Sequence, residues 1–214
     1  VATVRALKMH GGLAKTELGT ENLEALGKGT PNLLRHASNI RNVYKLPFVV
    51  AINRFPTDTD AEINFIIGKC RELGVNVVLS TVWADGGKGG EALAREVVRL
   101  CEEERGDFTF CYRDEDPIEE KIEAVVKKGY GGDGITITPQ AKKQIETLNA
   151  LGFSRLPVCI AKTQYSFSDN PALLGAPEGF KITVRNVEVS AGAGFIVVLT
   201  GDILTMPGLP KSPA

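Results

Sequence analysis

Composition and charge narrow the classes of protein to which this chain can belong. It has 214 residues, 43% hydrophobic and 24% charged, which is ordinary for a globular chain with room for one large domain or two small ones. The net charge of -1 gives no electrostatic reason to expect nucleic acid or a membrane surface as a partner. No apolar run approaches the roughly 20 residues of a membrane span, and no signal-peptide pattern opens the chain, so we expect a cytoplasmic protein.

The cysteines and histidines lack the spacing of a metal site. None of the four cysteines forms a C-x-x-C pair, and Cys70 and Cys101 fall on apolar helix faces, which predicts buried thiols in a reducing compartment. No acids or cysteines with metal-ligand spacing surround His10 or His36, so we predict no metal site. His36 should lie at the surface of a helix. His10, beside two glycines, is a weak functional candidate.

The chain opens with a predicted strand followed by a broken helix. Residues 1–7 are apolar and rich in β-branched side chains, which favours a strand. A helix is then predicted from about Thr20. We expect Gly27, Gly29 and Pro31 to interrupt it, with a second helical segment starting at the proline.

Two further strands frame the stretch on which the functional interpretation depends. Residues 48–52 and 75–79 are continuous apolar runs, as expected for strands that are covered on both faces. Thr59 and Glu62 form a predicted capping box for the helix between them, and Gly74 can end that helix in a left-handed turn. The strand–helix–strand order predicts a parallel crossover unit.

The second half of the chain predicts a smaller α/β unit after a polar stretch near residue 105. In order, we expect a short strand, two helices and three strands, at 108–112, 117–128, 139–151, 156–161, 181–189 and 195–200. The last two strands should be neighbours. We therefore predict one domain at 1–105 and a second at 106–214.

Phe55 and Trp83 each follow one of the two apolar strands, in a loop beside proline or near glycine. The carboxyl ends of parallel strands meet at one edge of a sheet, where ligands bind, so these loops should lie close together. Two facing rings could hold a flat heterocycle between them. The alternative, which position alone slightly favours, is that both rings are buried plugs beneath their loops. Asn53, at a strand end, could contact a purine edge, although an ordinary turn role is the simpler interpretation.

A glycine-rich run, GGKGG at 86–90, follows Asp85 and precedes a predicted helix. Its backbone amides could bind an anion at the helix N-terminus, or the run could be a mobile lid. No G-x-x-x-x-G-K-[ST] motif occurs in the 214 residues, so the chain has no recognisable phosphate loop of its own.

Five stretches resemble formate–tetrahydrofolate ligase, also called formyltetrahydrofolate synthetase, in the same order and at the same spacing. The motifs are long and uncommon, and the resemblance covers the whole chain, corresponding to about the carboxy-terminal two-fifths of the family's length. The five stretches are VATVRALKMHGG (1–12), VVAINRFPTDTDAE (49–62), VWADGGKGG (82–90), AKTQYSFSDNP (161–171) and SAGAGFIVVLTGDILTMPGLPKSPA (190–214).

The resemblance implies an ATP-dependent ligase of one-carbon metabolism. Such an enzyme joins formate to tetrahydrofolate through formyl phosphate and gives 10-formyltetrahydrofolate, with ATP and Mg²⁺ as co-substrate. In the family, the phenylalanine of NRFPTDT and the tryptophan of the glycine-rich motif hold the folate pteridine, which assigns Phe55 and Trp83 to folate binding. Asn53 is a weaker candidate for nucleotide binding. The resemblance also points, more weakly, to a supporting role in the second loop for Asp85, Gly86 and Gly87.

The family's phosphate loop lies upstream of the matched region. The resemblance therefore implies a P-loop NTPase-like parallel sheet that is completed by an amino-terminal part of the same enzyme, and a homo-oligomer. We expect this chain to be a fragment of a longer protein and inactive alone, and no catalytic residue is assigned. The alternatives are a non-catalytic folate- or nucleotide-binding module, and an assembly fragment that makes subunit contacts through 108–214.

Overall fold

The computed structural model describes residues 1–201 and 203, which divide into two compact units. Residues 1–110 and 173–176 form the first unit, and residues 111–172 with the described residues from 177 onward form the second. Both combine helices with parallel strand pairs, which confirms the α/β class. The likeness of the first sheet to that of P-loop NTPases and the boundary at residue 105 stay predictions. The last part of the motif at 190–214 lies outside the described residues.

The first unit opens with a helix, α1 (Val4–His10), where the sequence predicted a strand. The Thr3 hydroxyl accepts a hydrogen bond from the Ala6 amide at 3.2 Å and caps this helix. Only Ala2 retains strand character, through an isolated parallel bridge to Ile52. The β-branched start was therefore misleading, because the residues that follow Thr3 are mostly good helix formers.

The second helix, α2 (Leu23–Ser38), is continuous, so the predicted interruption is wrong. Gly29 does not break it but makes close packing possible: a β-carbon there would overlap the carbonyl oxygen of Leu7 on α1. Pro31 lies inside the helix, which continues past it into a π-helical turn at Asn39–Val43.

The parallel crossover predicted for the centre of the unit is confirmed. Strand β1 (Val49–Asn53) leads through helix α3 (Asp60–Glu72) to β2 (Asn76–Ser80), and the two strands pair in parallel. The capping box of Thr59 and Glu62 is present, and Gly74 has the predicted positive φ of 62°. The helices and the sheet share one apolar core, in which Ile52 and Ile66 are fully buried.

The rest of the first unit leads away from β2. A single helical turn, α4 (Val82–Asp85), and a 3-10 turn (Gly86–Gly90) precede helix α5 (Glu91–Glu103). The strand predicted at 108–112 is absent. Two backbone hydrogen bonds, from Asp107 to Lys45 and from Thr109 to Tyr44, tie this stretch to the chain without forming a ladder.

The described part of the second unit contains a two-stranded sheet, a three-stranded sheet and two α-helices. Its strands are β3 (Gly134–Ile137), β4 (Val158–Ala161), β5 (Lys181–Val184), β6 (Asn186–Ser190) and β7 (Phe195–Leu199). Strand β3 pairs in parallel with β5, and β4 pairs in parallel with β7. The predicted neighbours β6 and β7 pair antiparallel. The predicted strand at 181–189 is two strands, which belong to different sheets. Its helical elements are α6 (Ile118–Ala124), a π-helical turn (Val125–Tyr130) that follows it directly, and α7 (Pro139–Ala150) between β3 and β4.

The exposure of individual cysteine and histidine side chains can be compared with the predictions. Cys70 is buried as predicted, but Cys101 is exposed, because the face of α5 on which it lies is not covered. His36 is exposed, as expected. Among the described residues, no helix is both long enough and apolar enough to cross a membrane.

Candidate functional site

The two aromatic loops leave neighbouring strands at the same edge of the first sheet. In the parallel register of β1 and β2, Asn53 lies opposite Ser80, so both strands end at the same level. Phe55 follows two residues after Asn53, and Trp83 three residues after Ser80. The amide of Arg54 donates to the carbonyl of Ser80 at 3.0 Å, which holds the start of the first loop beside the end of β2. This is the edge at which parallel α/β sheets bind ligands.

Trp83 lies in the single turn of α4, and its side chain is 63% exposed. A ring that plugs a core beneath a loop would be largely buried, so this exposure contradicts the plug interpretation for Trp83. A large aromatic surface left in water at a sheet edge is available for contact with a ligand.

Phe55 is half-buried and has a cationic neighbour. The guanidinium carbon of Arg5, on α1, lies 5.7 Å from the centre of the Phe55 ring, within the range of a cation–π contact. Asn53 is also half-buried, and its backbone amide donates to the carbonyl of Ala2 at 2.9 Å. Helix α1 therefore lies beside the first aromatic loop, a proximity that the sequence patterns did not indicate.

The glycine-rich run is folded back onto the end of β2. The carbonyl of Gly89 accepts the amide of Thr81 at 3.1 Å, and a β-carbon at Gly89 would lie 2.5 Å from the Thr81 carbonyl carbon. Gly86 adopts φ 59° and ψ -146°, a conformation essentially restricted to glycine. Two of the glycines are therefore required by the local backbone. Asp85 and Gly87 are exposed on the same segment.

A buried ion pair lies behind the first loop, and the sequence analysis missed it. The ammonium of Lys8 lies 2.9 Å from a carboxylate oxygen of Glu62, and both side chains are fully buried. The same carboxylate accepts the amides of Asn22, at 3.0 Å, and Thr59, at 3.2 Å. Burial opposes ionisation of Glu62, but the Lys8 ammonium and the two amides outweigh it and lower its pKa. The capping box was the only sequence signal for this network.

His10 lies away from the aromatic loops. It lines a cavity of about 400 Å³ whose walls include Phe48 and Val50, at the opposite end of β1 from Phe55. Its Nδ1 accepts the amide of Gly175 at 3.2 Å, and burial lowers the pKa of the imidazole. Within residues 1–201 and 203, no group of three histidine, cysteine or acidic side chains is arranged to hold a metal ion.

Comparison with protein families adds one finding to this geometry. A family model described as "Formate--tetrahydrofolate ligase" matches residues 1–214, which is the whole chain.

Proposed function

The chain belongs to the formate–tetrahydrofolate ligase family of one-carbon metabolism, and from that membership we propose that it supplies the folate-stacking loops of such an enzyme. Phe55 and Trp83 hold the two faces of the pteridine. The observation that carries this proposal is the parallel register that ends β1 and β2 at one level, with an exposed tryptophan beyond one strand and a half-buried phenylalanine beyond the other.

The chemistry of the ligand fits this arrangement. A pteridine is flat and apolar on its faces, so aromatic rings can stack on it, while its edge carries hydrogen-bond donors and acceptors. Asn53, Asp85 and the backbone amides of 86–90 lie on the same two strand ends and could contact that edge. For the adenine of ATP, Asn53 is the weaker assignment.

The sequence offers no recognisable loop for the phosphates of ATP and their Mg²⁺. The 214 residues contain no G-x-x-x-x-G-K-[ST] motif, and the described part contains no group of acidic side chains arranged for a metal. We propose that residues outside this chain hold the triphosphate and support formyl phosphate formation, and that the chain acts together with that part of the enzyme, within a homo-oligomer. No catalytic step is assigned to a residue of this chain.

Fluorescence gives a direct test, because Trp83 is the only tryptophan among the 214 residues. Titration of this chain with tetrahydrofolate should change its tryptophan emission in a saturable way, since a pteridine stacked on the indole alters its surroundings. ATP should change it little. Free N-acetyltryptophanamide, titrated in parallel, corrects for absorption by the folate. No saturable change with folate, or an equal change with ATP, would reject the stacking role.

A further inference from the structure

The loop that carries Phe55 is fixed by two buried carboxylates, both on its carboxy-terminal side. It joins β1 to α3, and its tip, Pro56 and Thr57, is exposed. Asp58, directly after the tip, is only 3% exposed, and Glu62 in the first turn of α3 is fully buried. A connecting loop normally places its acidic side chains in water, so two buried carboxylates close together at its carboxy-terminal side require a physical explanation.

Asp58 closes the loop onto the backbone of Phe55. The amide of Phe55 donates to Oδ2 of Asp58 at 2.8 Å, and the amide of Asp58 donates to the carbonyl of Phe55 at 3.0 Å. The two bonds form a four-residue turn in which Phe55 is the first residue. The two bonds restrain the backbone of Phe55, so the direction in which its side chain leaves the chain cannot change greatly unless this turn opens.

The other oxygen of Asp58 is held at a cost. Among the described residues, Oδ1 is buried without a hydrogen-bond partner. A buried, unpaired carboxylate oxygen reduces stability, and an asparagine could form the same turn without burying a charge. The contribution of Asp58 is therefore the turn itself, which fixes the backbone position of Phe55.

Glu62, in the first turn of α3, holds the carboxy-terminal end of the same loop at Thr59. Its Oε2 accepts the amide of Thr59, whose hydroxyl in turn accepts the amide of Glu62, and its Oε1 is bonded to Lys8 on α1. The end of the loop is thus tied to the packed helices. Hydrogen bonds therefore hold the Phe55 loop at two positions, in the turn closed by Asp58 and at Thr59, where α3 begins.

We propose that Asp58 is a positioning residue for folate binding, which holds Phe55 in its stacking position before the ligand arrives. The inference rests on the proposed stacking role of Phe55. A loop that is already ordered loses little conformational freedom on binding, so preorganisation strengthens affinity without a new contact to the ligand. Asp58 acts through Phe55 and not on the reacting atoms.

Steady-state kinetics of the complete ligase test this role. In Asp58→Ala, the KM for tetrahydrofolate should rise about tenfold, while the KM values for ATP and formate stay within about twofold. Asp58→Asn should return the folate KM to within about threefold of the wild type, because its amide oxygen can still accept the Phe55 amide. Thr57→Ala, on the exposed tip of the same loop, is the matched control and should change none of the three values.

Three results would overturn the proposal: an unchanged folate KM in Asp58→Ala, an equal rise of all three KM values, or no rescue by asparagine. If Asp58→Ala does not fold, Asp58→Leu keeps most of the side-chain volume, also lacks the acceptor, and is judged by the same comparison. Phe55→Ala, measured alongside, distinguishes a failure of the stacking role of Phe55 from a failure of the positioning role of Asp58. An unchanged folate KM in Phe55→Ala would reject the stacking role itself. A raised KM there with a normal Asp58→Ala enzyme would reject only the positioning role.

Discussion

At the scale of single residues, Glu62 connects three parts of the first unit. Its carboxylate bonds to Lys8 on α1, to the amide of Asn22 at the start of α2 and to the amide of Thr59 at the start of α3. Burying two charges is costly, and good geometry with further hydrogen bonds is what offsets that cost. The pair therefore matters most when one partner is removed.

Replacement of Glu62 by glutamine should destabilise the protein by about 3–5 kcal/mol at neutral pH, because it leaves the Lys8 ammonium buried without a counter-charge. The lowered pKa of Glu62 in the folded state also sets a pH dependence. Its contribution is complete above the ordinary glutamate pKa and is lost as the pH falls through the lower, folded-state value. Urea unfolding at a series of pH values should show a shallower acid dependence in Glu62→Gln than in the wild type.

Glu24→Gln is the matched control for this experiment. Glu24 also pairs with a lysine, Lys28, but both side chains are largely exposed, and such pairs contribute little to stability. The control should therefore unfold close to the wild-type midpoint at neutral pH. A Glu62→Gln protein that is as stable as this control would show that the buried pair does not hold the helices together.

At the scale of elements, the sequence signals for helix ends and buried strands gave correct predictions, because each depends only on neighbouring residues. The capping box of Thr59 and Glu62 and the left-handed Gly74 bound α3 as predicted, and the apolar runs on either side became the parallel strands. The predictions failed where packing between elements decides. Gly29 was interpreted as a helix breaker, yet it lies in α2 because α1 approaches too closely there for any side chain. That approach is not encoded in the local pattern.

The close approach of α1 and α2 makes a sharp prediction for glycine substitutions. Gly29→Ala should destabilise the first unit by about 2 kcal/mol or more, because its β-carbon would overlap the Leu7 carbonyl oxygen and force the helices apart. Gly68→Ala, in α3, is the control, since nothing lies within 4 Å of a β-carbon there. Alanine is the better helix former, so this control should gain up to about 1 kcal/mol. Thermal unfolding of both variants tests the difference, and equal stabilities would contradict the packing described.

At the scale of the whole molecule, the sequence predicted the sheet edge at which Phe55 and Trp83 lie, but not the buried residues behind the Phe55 loop. The shared edge could be predicted because the carboxyl ends of parallel strands meet, a rule that needs only the order of elements, whereas the proposed folate role of the two rings came from the family resemblance. The burial of Asp58 and of Lys8 could not be predicted, because burial is a property of the assembled fold and not of the local pattern. An aspartate in a loop and a lysine in an apolar helix are usually exposed, and only the assembled core removes these two from water.

The membership of the whole chain in the ligase family is the reason to propose tetrahydrofolate as the ligand of this edge. The family's reaction needs ATP, formate and tetrahydrofolate. Of these three, tetrahydrofolate is the one that we propose for the loops of Phe55 and Trp83. The central claim is therefore that the exposed Trp83 is a binding surface for the pteridine and contributes little to the stability of the fold.

Paired measurements on Trp83→Ala in the complete ligase test that claim most directly. Tetrahydrofolate binding should weaken by about 1–3 kcal/mol, by analogy with the loss of an aromatic ring that stacks on a base. ATP binding and the thermal unfolding midpoint should remain close to those of the wild type, because a side chain that is 63% exposed has little packing to lose. The opposite pattern would contradict the account: unchanged folate affinity, together with the stability loss of about 3–5 kcal/mol that is typical of a truncated core tryptophan.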